Sequence, residues 1–261
     1  MKNILLKIAY DGTYYNGWQT GGTGKSIEQT INKAISKVLK EDIKIFGASR
    51  TDSLVSSNGN YANFLTDRHI NPDKFYFPVN NYLPDNISIL SSKEVPIDFN
   101  IRKEVEKKEY IYRIHNAKVR NPIYEHNAAF IYYDIDINLM NDAKKYIIGT
   151  RDFKSFINPE SQLLIKYKDN PSEFLTTRTI YDIIINKYND IIEMHVIGNG
   201  FLYHMVRIIV GTLLKVGMKM YEPKYIEEIL EKKDRQYAGF TMPAHGLTLE
   251  KIYFKNNEYN I

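Results

Sequence analysis

One arginine and one aspartate stand out among the residues whose type and position could do chemistry. Arg207 lies in residues 201–216, which are so apolar that a helix there must be buried nearly all round. A buried guanidinium left without a carboxylate destabilises a fold by roughly 3–5 kcal/mol, so an Asp or Glu should approach it. Asp52 ends the loop 47–52, which follows an apolar segment and could supply that carboxylate. An aspartate kept ionised by an arginine can act as a nucleophile or as a general base.

A purely structural explanation of the same two residues stays open. Asp52 could simply cap a turn, and the Arg207 side chain could run along the helix until its guanidinium reaches water. The two explanations differ in whether the aspartate and the arginine share a cleft between two lobes of the protein.

The other candidate sites lack the residue spacing that their chemistry requires. Residues 21–26 read Gly-Gly-Thr-Gly-Lys-Ser, but the Walker pattern requires a glycine where Gln19 stands. Residues 198–200 lack the third glycine of a dinucleotide fingerprint. None of the six histidines has a partner at metal-ligand spacing, and cysteine is absent. We therefore expect no metal site, no nucleotide-binding loop and no disulfide.

The amino-acid composition indicates the broad class of protein. The 261 residues carry a net charge of +4 and are 43% hydrophobic, which excludes intrinsic disorder and gives only a weak hint of an anionic partner. The most apolar segment, 201–216, is shorter than the roughly 20 residues of a membrane span, so no membrane association is expected. The absence of cysteine is compatible with a reducing cytoplasm, the expected location. The 21 tyrosines and 12 phenylalanines could stack on bases, although most should be core residues.

Strands and helices alternate through both halves of the chain. In the first half we predict a strand over 4–10, a helix capped by Ser26 with Gln29 in capping-box spacing, and a strand over 43–46 that leads into the loop 47–52. Tyr15 and Trp18 should pack the loop after the first strand.

The second half continues the pattern with a longer set of elements. The predictions are a strand over 107–116, a helix running into a loop over 144–156, a surface loop over 158–177, a hairpin of 183–185 with 191–197, a helix over 201–216, a helix from near Pro223, a turn at 243–246 and a strand ending at 254. Residues 103–109 are mixed in charge and should be solvated. The residues by themselves favour an α/β or α+β fold with two similar lobes.

Six motifs, in order from residue 4 to 254, carry a resemblance to a known family. They are 10–19 (Tyr-Asp-Gly-Thr-Tyr-Tyr-Asn-Gly-Trp-Gln), 50–52 (Arg-Thr-Asp), 99–102 (Phe-Asn-Ile-Arg), 110–112 (Tyr-Ile-Tyr), the helical segment 200–214, and 243–247 (Pro-Ala-His-Gly-Leu). Each motif alone is weak, but together they resemble the tRNA pseudouridine synthase A family.

The resemblance implies a fold and a reaction. The fold would be α+β, with two related α/β lobes (ferredoxin-like or RRM-like halves), mixed and largely antiparallel sheets flanked by helices, and a central active-site cleft. Residues 1–105 would form the lobe with the aspartate loop, and 106–261 the lobe with the active-site tyrosine and arginine. The enzyme would be a homodimer that isomerises uridine to pseudouridine at positions 38–40 of the tRNA anticodon stem-loop, without a cofactor. The target base would be flipped out first.

The resemblance also implies roles for individual residues. Asp52 would be the nucleophile or base at the sugar, Tyr110 would stack on the flipped base, and Arg207 would hold Asp52 ionised. The residues that would contact the RNA are Arg50, Arg102, Ser53 and His204.

Residues 53–57 depart from the family pattern. They read Ser-Leu-Val-Ser-Ser where the family has Ala-Gly-Val-His-Ala, so Leu54 replaces a glycine, and Ser49 does so as well. Glycine permits a positive φ or a close approach of RNA, and leucine does so poorly. The alternatives are therefore a relative that modifies another RNA site and an RNA-binding protein with impaired catalysis. An Asp-dependent nucleosidase is a third, although the second carboxylate such chemistry commonly needs is not evident.

Overall fold

The computed structural model describes residues 1–19, 24–166 and 175–261. Its strands are β1 (Lys2–Tyr10), β2 (Phe46–Gly47), β3 (Ser56–Thr66), β4 (Ile87–Val95), β5 (Val105–Asn116), β6 (Ala129–Ile131), β7 (Gly149–Asp152), β8 (Thr177–Tyr188), β9 (Ile191–Gly198) and β10 (Leu247–Phe254). Its α-helices are α1 (Ile27–Leu39), α2 (Tyr76–Asn80), α3 (Ile101–Glu104), α4 (Ile137–Lys144), α5 (Gln162–Lys166), α6 (Met205–Gly217) and α7 (Tyr225–Lys232). The predicted α+β class is confirmed. No helix in these three stretches has both the length and the apolar character needed to cross a membrane.

The chain forms two compact units. The first contains Met1–Lys108 together with Thr248–Ile261, and the second contains Glu109–Leu247. This grouping differs from the predicted lobes, 1–105 and 106–261, chiefly in residues 248–261. Strand pairing explains the difference, because Thr248 of β10 is the parallel partner of Ser56 of β3.

The first unit is built on strands in the order β4-β1-β3-β10, with β2 also paired to β3. The central strand β1 is antiparallel to both β3 and β4, and its apolar side chains are buried. Helix α1 buries one apolar stripe against this sheet, and Ser26 caps it by accepting a hydrogen bond from Gln29 N at 3.2 Å. The predicted strand, helix and cap are therefore confirmed. Tyr15 and Trp18 are buried as predicted.

The predicted strand over 43–46 is wrong in extent, because β2 contains only Phe46 and Gly47. Ile43 N donates instead to Ser36 Oγ at 3.0 Å, and Ile45 N donates to Asn32 Oδ1 at 2.9 Å. Polar side chains of α1 thus take the backbone donors that a strand would give to a neighbouring strand.

The second unit has strands in the order β5-β9-β8-β7, with β6 parallel to β5. Strands β8 and β9 form the predicted hairpin, which turns through Asn189 at a φ of 52°. Helix α6 is buried at every position except Arg207 and Lys215, as its composition predicts, although it begins at Met205 rather than at 201. Helix α7 begins two residues after Pro223, close to the predicted start.

Two predictions for the second unit are wrong. Residues 144–156 do not start a helix: α4 ends at Lys144, and Gly149, with a φ of 107°, opens the strand β7. The helix begins earlier because the Asp136 side chain accepts from the backbone of Asn138 and Leu139. The predicted loop 158–177 contains the short helix α5, and its residues 167–174 lie outside the described part of the chain.

Candidate active-site residues

The loop that ends at Asp52 leaves β2 and is fixed by its backbone. Ala48 N donates to the carbonyl of Tyr61 at 2.8 Å, and Trp18 N donates to the carbonyl of Thr51 at 3.0 Å. Gly17, with a φ of 88°, allows the close approach, because a Cβ there would lie 2.7 Å from the Thr51 oxygen. Both ends of the loop are therefore held by the core of the first unit.

A buried polar cluster supports the same loop from beneath. The Tyr10 hydroxyl and Thr51 Oγ1 share a hydrogen bond of 2.7 Å, and Asn60 Nδ2 contacts the Tyr10 hydroxyl at 3.3 Å. Asn60 Nδ2 also donates to the carbonyl of Ser49 at 3.0 Å. Buried hydrogen bonds of this kind are expensive to leave unmade, so they fix the backbone on the amino-terminal side of Asp52.

The turn that follows Asp52 places Leu54 in a backbone conformation that favours glycine. Asp52 is half-buried, and its carbonyl accepts from Val55 N at 3.2 Å. Leu54 adopts a left-handed φ of 66° with 42% of its surface exposed. A glycine would take this conformation without strain, whereas leucine takes it at a cost of about 1–2 kcal/mol. Ser53 is exposed, and its hydroxyl donates to the carbonyl of Tyr15 at 3.2 Å.

Three basic side chains belong to the same unit as the aspartate loop. Arg50 and Arg102 are exposed, and Arg102 makes a long 3.5 Å contact to the carbonyl of Gly47. Lys108 differs, because its ammonium donates to the carbonyl of Ala48 and to Ser49 Oγ, each at 3.1 Å. Burial, and secondarily the charge of Arg102, lowers the pKa of Lys108 to about 8. The prediction that residues 103–109 are solvated is therefore wrong at Lys108.

In the second unit the tyrosine pair of β5 is buried on one face of the strand. Tyr110 meets the ring of Phe201 edge-on, with ring centres 5.2 Å apart. The Tyr112 hydroxyl donates to the carbonyl of Pro243 at 2.7 Å, and burial raises the pKa of Tyr112 far above its usual range. Gly246 is required beside it, because a Cβ there would lie 2.7 Å from the Tyr112 ring. The motif 243–247 thus closes around the second tyrosine.

Arg207 lies in the first turn of α6 and is half-buried. Its Nε donates to the carbonyl of Met242 at 2.6 Å, and its own carbonyl accepts from Met242 N at 3.3 Å. The arginine is thereby tied to the segment that precedes the 243–246 turn. Its predicted pairing with Asp52 stays a prediction.

Helix α6 is fixed in place by a close approach of two chain segments. A Cβ at Gly211 would collide with the carbonyl oxygen of Phe240. Thr212 Oγ1 accepts from Gly239 N at 2.8 Å and donates to the carbonyl of Ile208 at 2.8 Å. The Gly-Thr pair of the motif 200–214 therefore sets how closely the helix packs.

His204 precedes α6 in a left-handed conformation, with a φ of 62°. Its ring stacks on Tyr203 at 3.8 Å between centres, and its Nδ1 lies 2.9 Å from Asn158 Nδ2. Burial lowers the pKa of His204 to about 4, and the charges of Arg207 and Arg235 add to the effect. The ring is therefore neutral at pH 7, with Nδ1 accepting from the amide and the proton on Nε2.

Sequence reasoning missed several residues that support these side chains. They are Tyr10, Asn60, Lys108 and Asn158. The signal that could have found Tyr10 and Asn60 is a polar group at a buried position of an apolar strand, since such a group needs a buried partner. Lys108 and Asn158 carry no such signal. In residues 1–19, 24–166 and 175–261, no cluster of three His, Asp or Glu side chains is arranged to hold a metal ion.

Known proteins resemble this chain along nearly all of its length. Residues 143–255 match a family model described as tRNA pseudouridine synthase. The chain is 42% identical over 97% of its length to tRNA pseudouridine synthase A 2 of Clostridium tetani, which it covers to 99%. It is 38% identical to tRNA pseudouridine synthase A of Acetivibrio thermocellus and 42% identical to that of Clostridium acetobutylicum, each over 97% of this chain and 100% of the relative.

Proposed function

Because this chain belongs to the tRNA pseudouridine synthase family, whose members are isomerases acting on RNA uridines, we propose that it converts uridine to pseudouridine in tRNA. The observation that carries the proposal is the 42% identity over 97% of the chain to a relative named for that activity. We place the target in the anticodon stem-loop, at positions 38–40, on the resemblance of the sequence motifs.

The reaction exchanges one glycosidic bond for another. The bond between uridine N1 and ribose C1′ breaks, the base rotates, and a bond from C5 to C1′ forms. The proton on C5 then leaves, and N1 gains a proton, so that substrate and product have the same atoms. A uridine in structured RNA must first be flipped out of its stack at a cost of a few kcal/mol.

Asp52 is the group we assign to the sugar, as nucleophile or base. The support is the loop that bears it, whose backbone is held at Ala48, Ser49 and Thr51. A carboxylate on a fixed backbone meets the requirement that reacting atoms be placed to within a fraction of an ångström. The half-buried position of Asp52 leaves part of its surface reachable by substrate.

Tyr110 and Arg207 complete the proposed catalytic set. Tyr110 would stack on the flipped uracil, with its ring already oriented by the edge-on contact with Phe201. Arg207 would keep Asp52 ionised, since an opposite charge nearby favours the charged form of a carboxyl group. The Arg207 Nε donates a hydrogen bond to the Met242 carbonyl, and this bond fixes the direction of the guanidinium.

Four further residues are proposed to contact the RNA. Arg50, Arg102 and Ser53 are exposed, as a phosphate or sugar contact requires, and His204 is half-buried and neutral. We further propose that the protein is a homodimer in the cytoplasm. Light scattering of the purified protein would test the homodimer, and cell fractionation would test the location.

The decisive experiment incubates unmodified tRNA transcripts with the wild type, Asp52→Ala and Asp42→Ala, and maps pseudouridine chemically at each uridine. Asp42 is an exposed aspartate of the same unit and serves as the matched control. We expect product from the wild type and from Asp42→Ala, and a loss of more than about a thousandfold in Asp52→Ala.

The other outcomes contradict separate parts of the proposal. Product from Asp52→Ala at the wild-type rate would remove the role of Asp52. A modified position outside 38–40 would overturn the assigned target but not the reaction. Binding of tRNA without product by the wild type would favour an RNA-binding protein, and release of free uracil would indicate a nucleosidase.

A further inference from the structure

Lys108 makes an unusual pair of contacts to the loop that bears the proposed catalytic aspartate. Its Nζ lies 3.1 Å from the carbonyl oxygen of Ala48 and 3.1 Å from Ser49 Oγ. Both acceptors are uncharged, so the ammonium here serves as a double hydrogen-bond donor rather than as half of an ion pair. Hydrogen bonds from a charged donor are about twice as strong as neutral ones.

These contacts hold the loop at Ala48 and Ser49, three to four residues before Asp52. The Ser49 carbonyl is held by Asn60 from one direction, and the Ser49 hydroxyl is held by Lys108 from another. Ser49 lies three residues before Asp52, so a shift of its backbone is passed along a short stretch of chain to the carboxylate. The second of the two bonds requires a hydroxyl side chain at position 49, because its acceptor is Ser49 Oγ.

Burial makes Lys108 a poor candidate for a residue kept only to stabilise the fold. Removing an ammonium from water opposes its charged form, and the nearby Arg102 adds repulsion, which together lower the pKa of Lys108 to about 8. A methionine of similar length would avoid this penalty. The contacts therefore fit a residue retained for the placement of the loop.

We propose that Lys108 is a positioning residue that holds the backbone at Ala48 and Ser49 so that Asp52 is placed for reaction. The proposal rests on the function proposed for Asp52. Lys108 touches the loop and not the reacting atoms, so its effect should fall on the chemical step and not on the binding of tRNA.

The kinetic test compares the wild type with Lys108→Met, Lys108→Arg and Ser49→Ala, using Lys107→Met as the matched control. Lys107 is the neighbouring residue of β5, and its Nζ lies over the ring of Tyr253. We expect Lys108→Met to lower kcat by about tenfold to a hundredfold while KM for tRNA changes less than about twofold. Ser49→Ala should lower kcat about threefold to tenfold, because one acceptor is lost.

Two further readouts separate positioning from a general structural role. Lys108→Arg keeps the charge and the donors, so its kcat should exceed that of Lys108→Met by about fivefold or more. The Tm of Lys108→Met should equal or exceed that of the wild type, and that of Lys107→Met should be unchanged. If Lys108→Met retains kcat within twofold, or if kcat and Tm fall together without rescue by arginine, the proposal is overturned.

Hydrogen exchange measured by mass spectrometry tests the loop without any activity. Lys108→Met should raise exchange in peptides covering 47–54 and leave α6 unchanged. If the wild type makes no pseudouridine but this exchange difference is present, the proposed function fails while the restraint of the loop by Lys108 stands. Equal exchange over 47–54 in Lys108→Met and in the wild type would contradict the proposed role of Lys108. If Lys108→Met does not fold, the same measurements are made on Ser49→Ala. A kcat and an exchange over 47–54 equal to those of the wild type in Ser49→Ala would then reject the proposal.

Discussion

The Asp52 loop and the Arg207 helix hold their functional side chains by different means. Arg207 is carried by α6, whose backbone is regular and whose other residues, apart from Lys215, are buried. Asp52 is carried by irregular backbone, held by separate hydrogen bonds from Asn60, Trp18 and Lys108, with the Tyr10 hydroxyl bonded to the Thr51 side chain. A helix fixes a side chain through its packing, whereas a loop fixes one through a set of individual polar contacts.

This difference predicts how each region should fail. A change in the packing of α6 should reduce the stability of the protein, because the helix is part of the core of its unit. A change in one restraint of the loop should reduce the reaction rate by a larger factor than the change in stability would suggest.

The strongest test of the helix is Gly211→Ala. The new Cβ would collide with the carbonyl oxygen of Phe240, and backbone cannot move aside as a flexible side chain can. We expect a loss of about 3 kcal/mol in the free energy of unfolding, measured by denaturant titration. The matched control is Gly200→Ala, whose Cβ would meet only the Arg178 side chain at 3.7 Å and should change stability by less than about 0.5 kcal/mol. Equal effects at the two glycines would contradict the packing argument.

The corresponding test of the loop is Tyr10→Phe. The change keeps the ring but removes the hydroxyl that contacts Thr51 and Asn60, leaving buried polar groups short of a partner. We expect a loss of about 1–2 kcal/mol in stability and about a tenfold fall in kcat for pseudouridine formation. Tyr61→Phe is the control, because its hydroxyl contacts Ile261 and not the loop. If Tyr61→Phe lowered kcat as much as Tyr10→Phe does, the effect of Tyr10→Phe would not be specific to the loop.

The pH dependence of stability tests the environment of His204, the residue that precedes α6. The pKa of His204 is about 4 in the folded protein and about 6.5 when unfolded, so the unfolded state binds more protons between those values. Stability should therefore be complete above pH 6.5 and fall as the pH drops toward 4. Since the ring is partly solvated, we expect His204→Asn to remove only about 1 kcal/mol of the loss between pH 7 and pH 5. Asparagine tolerates the left-handed backbone, and an unchanged pH profile would contradict the assignment.

The smallest expected effect is at Leu54, where the turn after Asp52 is strained. Leu54→Gly relieves a left-handed φ, but it gives the unfolded chain greater freedom and removes a side chain of which more than half is buried, since Leu54 is 42% exposed. We expect these contributions nearly to cancel, with a change of less than about 0.5 kcal/mol in the free energy of unfolding, read from thermal unfolding. Leu65→Gly, at a similarly exposed strand position, should instead lower stability.

Sequence patterns predicted the elements whose burial can be read from neighbouring residues. Helix α1 and strand β9 bury apolar residues at a regular period, β1 and α6 are apolar at nearly every position, and the Ser26 cap needs only two residues at fixed spacing. Each of these elements is specified by neighbours in the chain, so a local pattern is enough to identify it.

The predictions that failed depend on contacts between residues far apart in sequence. Ile43 and Ile45 look like strand residues, but side chains of α1 take their backbone donors. Lys108 sits in a charged segment that reads as solvated, yet its partners lie about 60 residues earlier. The candidate residues of the loop were identified from a motif, whereas the side chains that restrain it were not, because restraint is a property of the folded chain.

The pairing of residues 248–261 with the first unit also bears on how the protein is made. β3 cannot pair with its parallel partner β10 until all of residues 109–247 have been translated, which takes on the order of ten seconds. A nascent chain in that interval presents an open strand edge to chaperones and proteases. Premature termination between residues 109 and 247 would leave β3 without this partner, so incomplete copies should be degraded faster than the full chain.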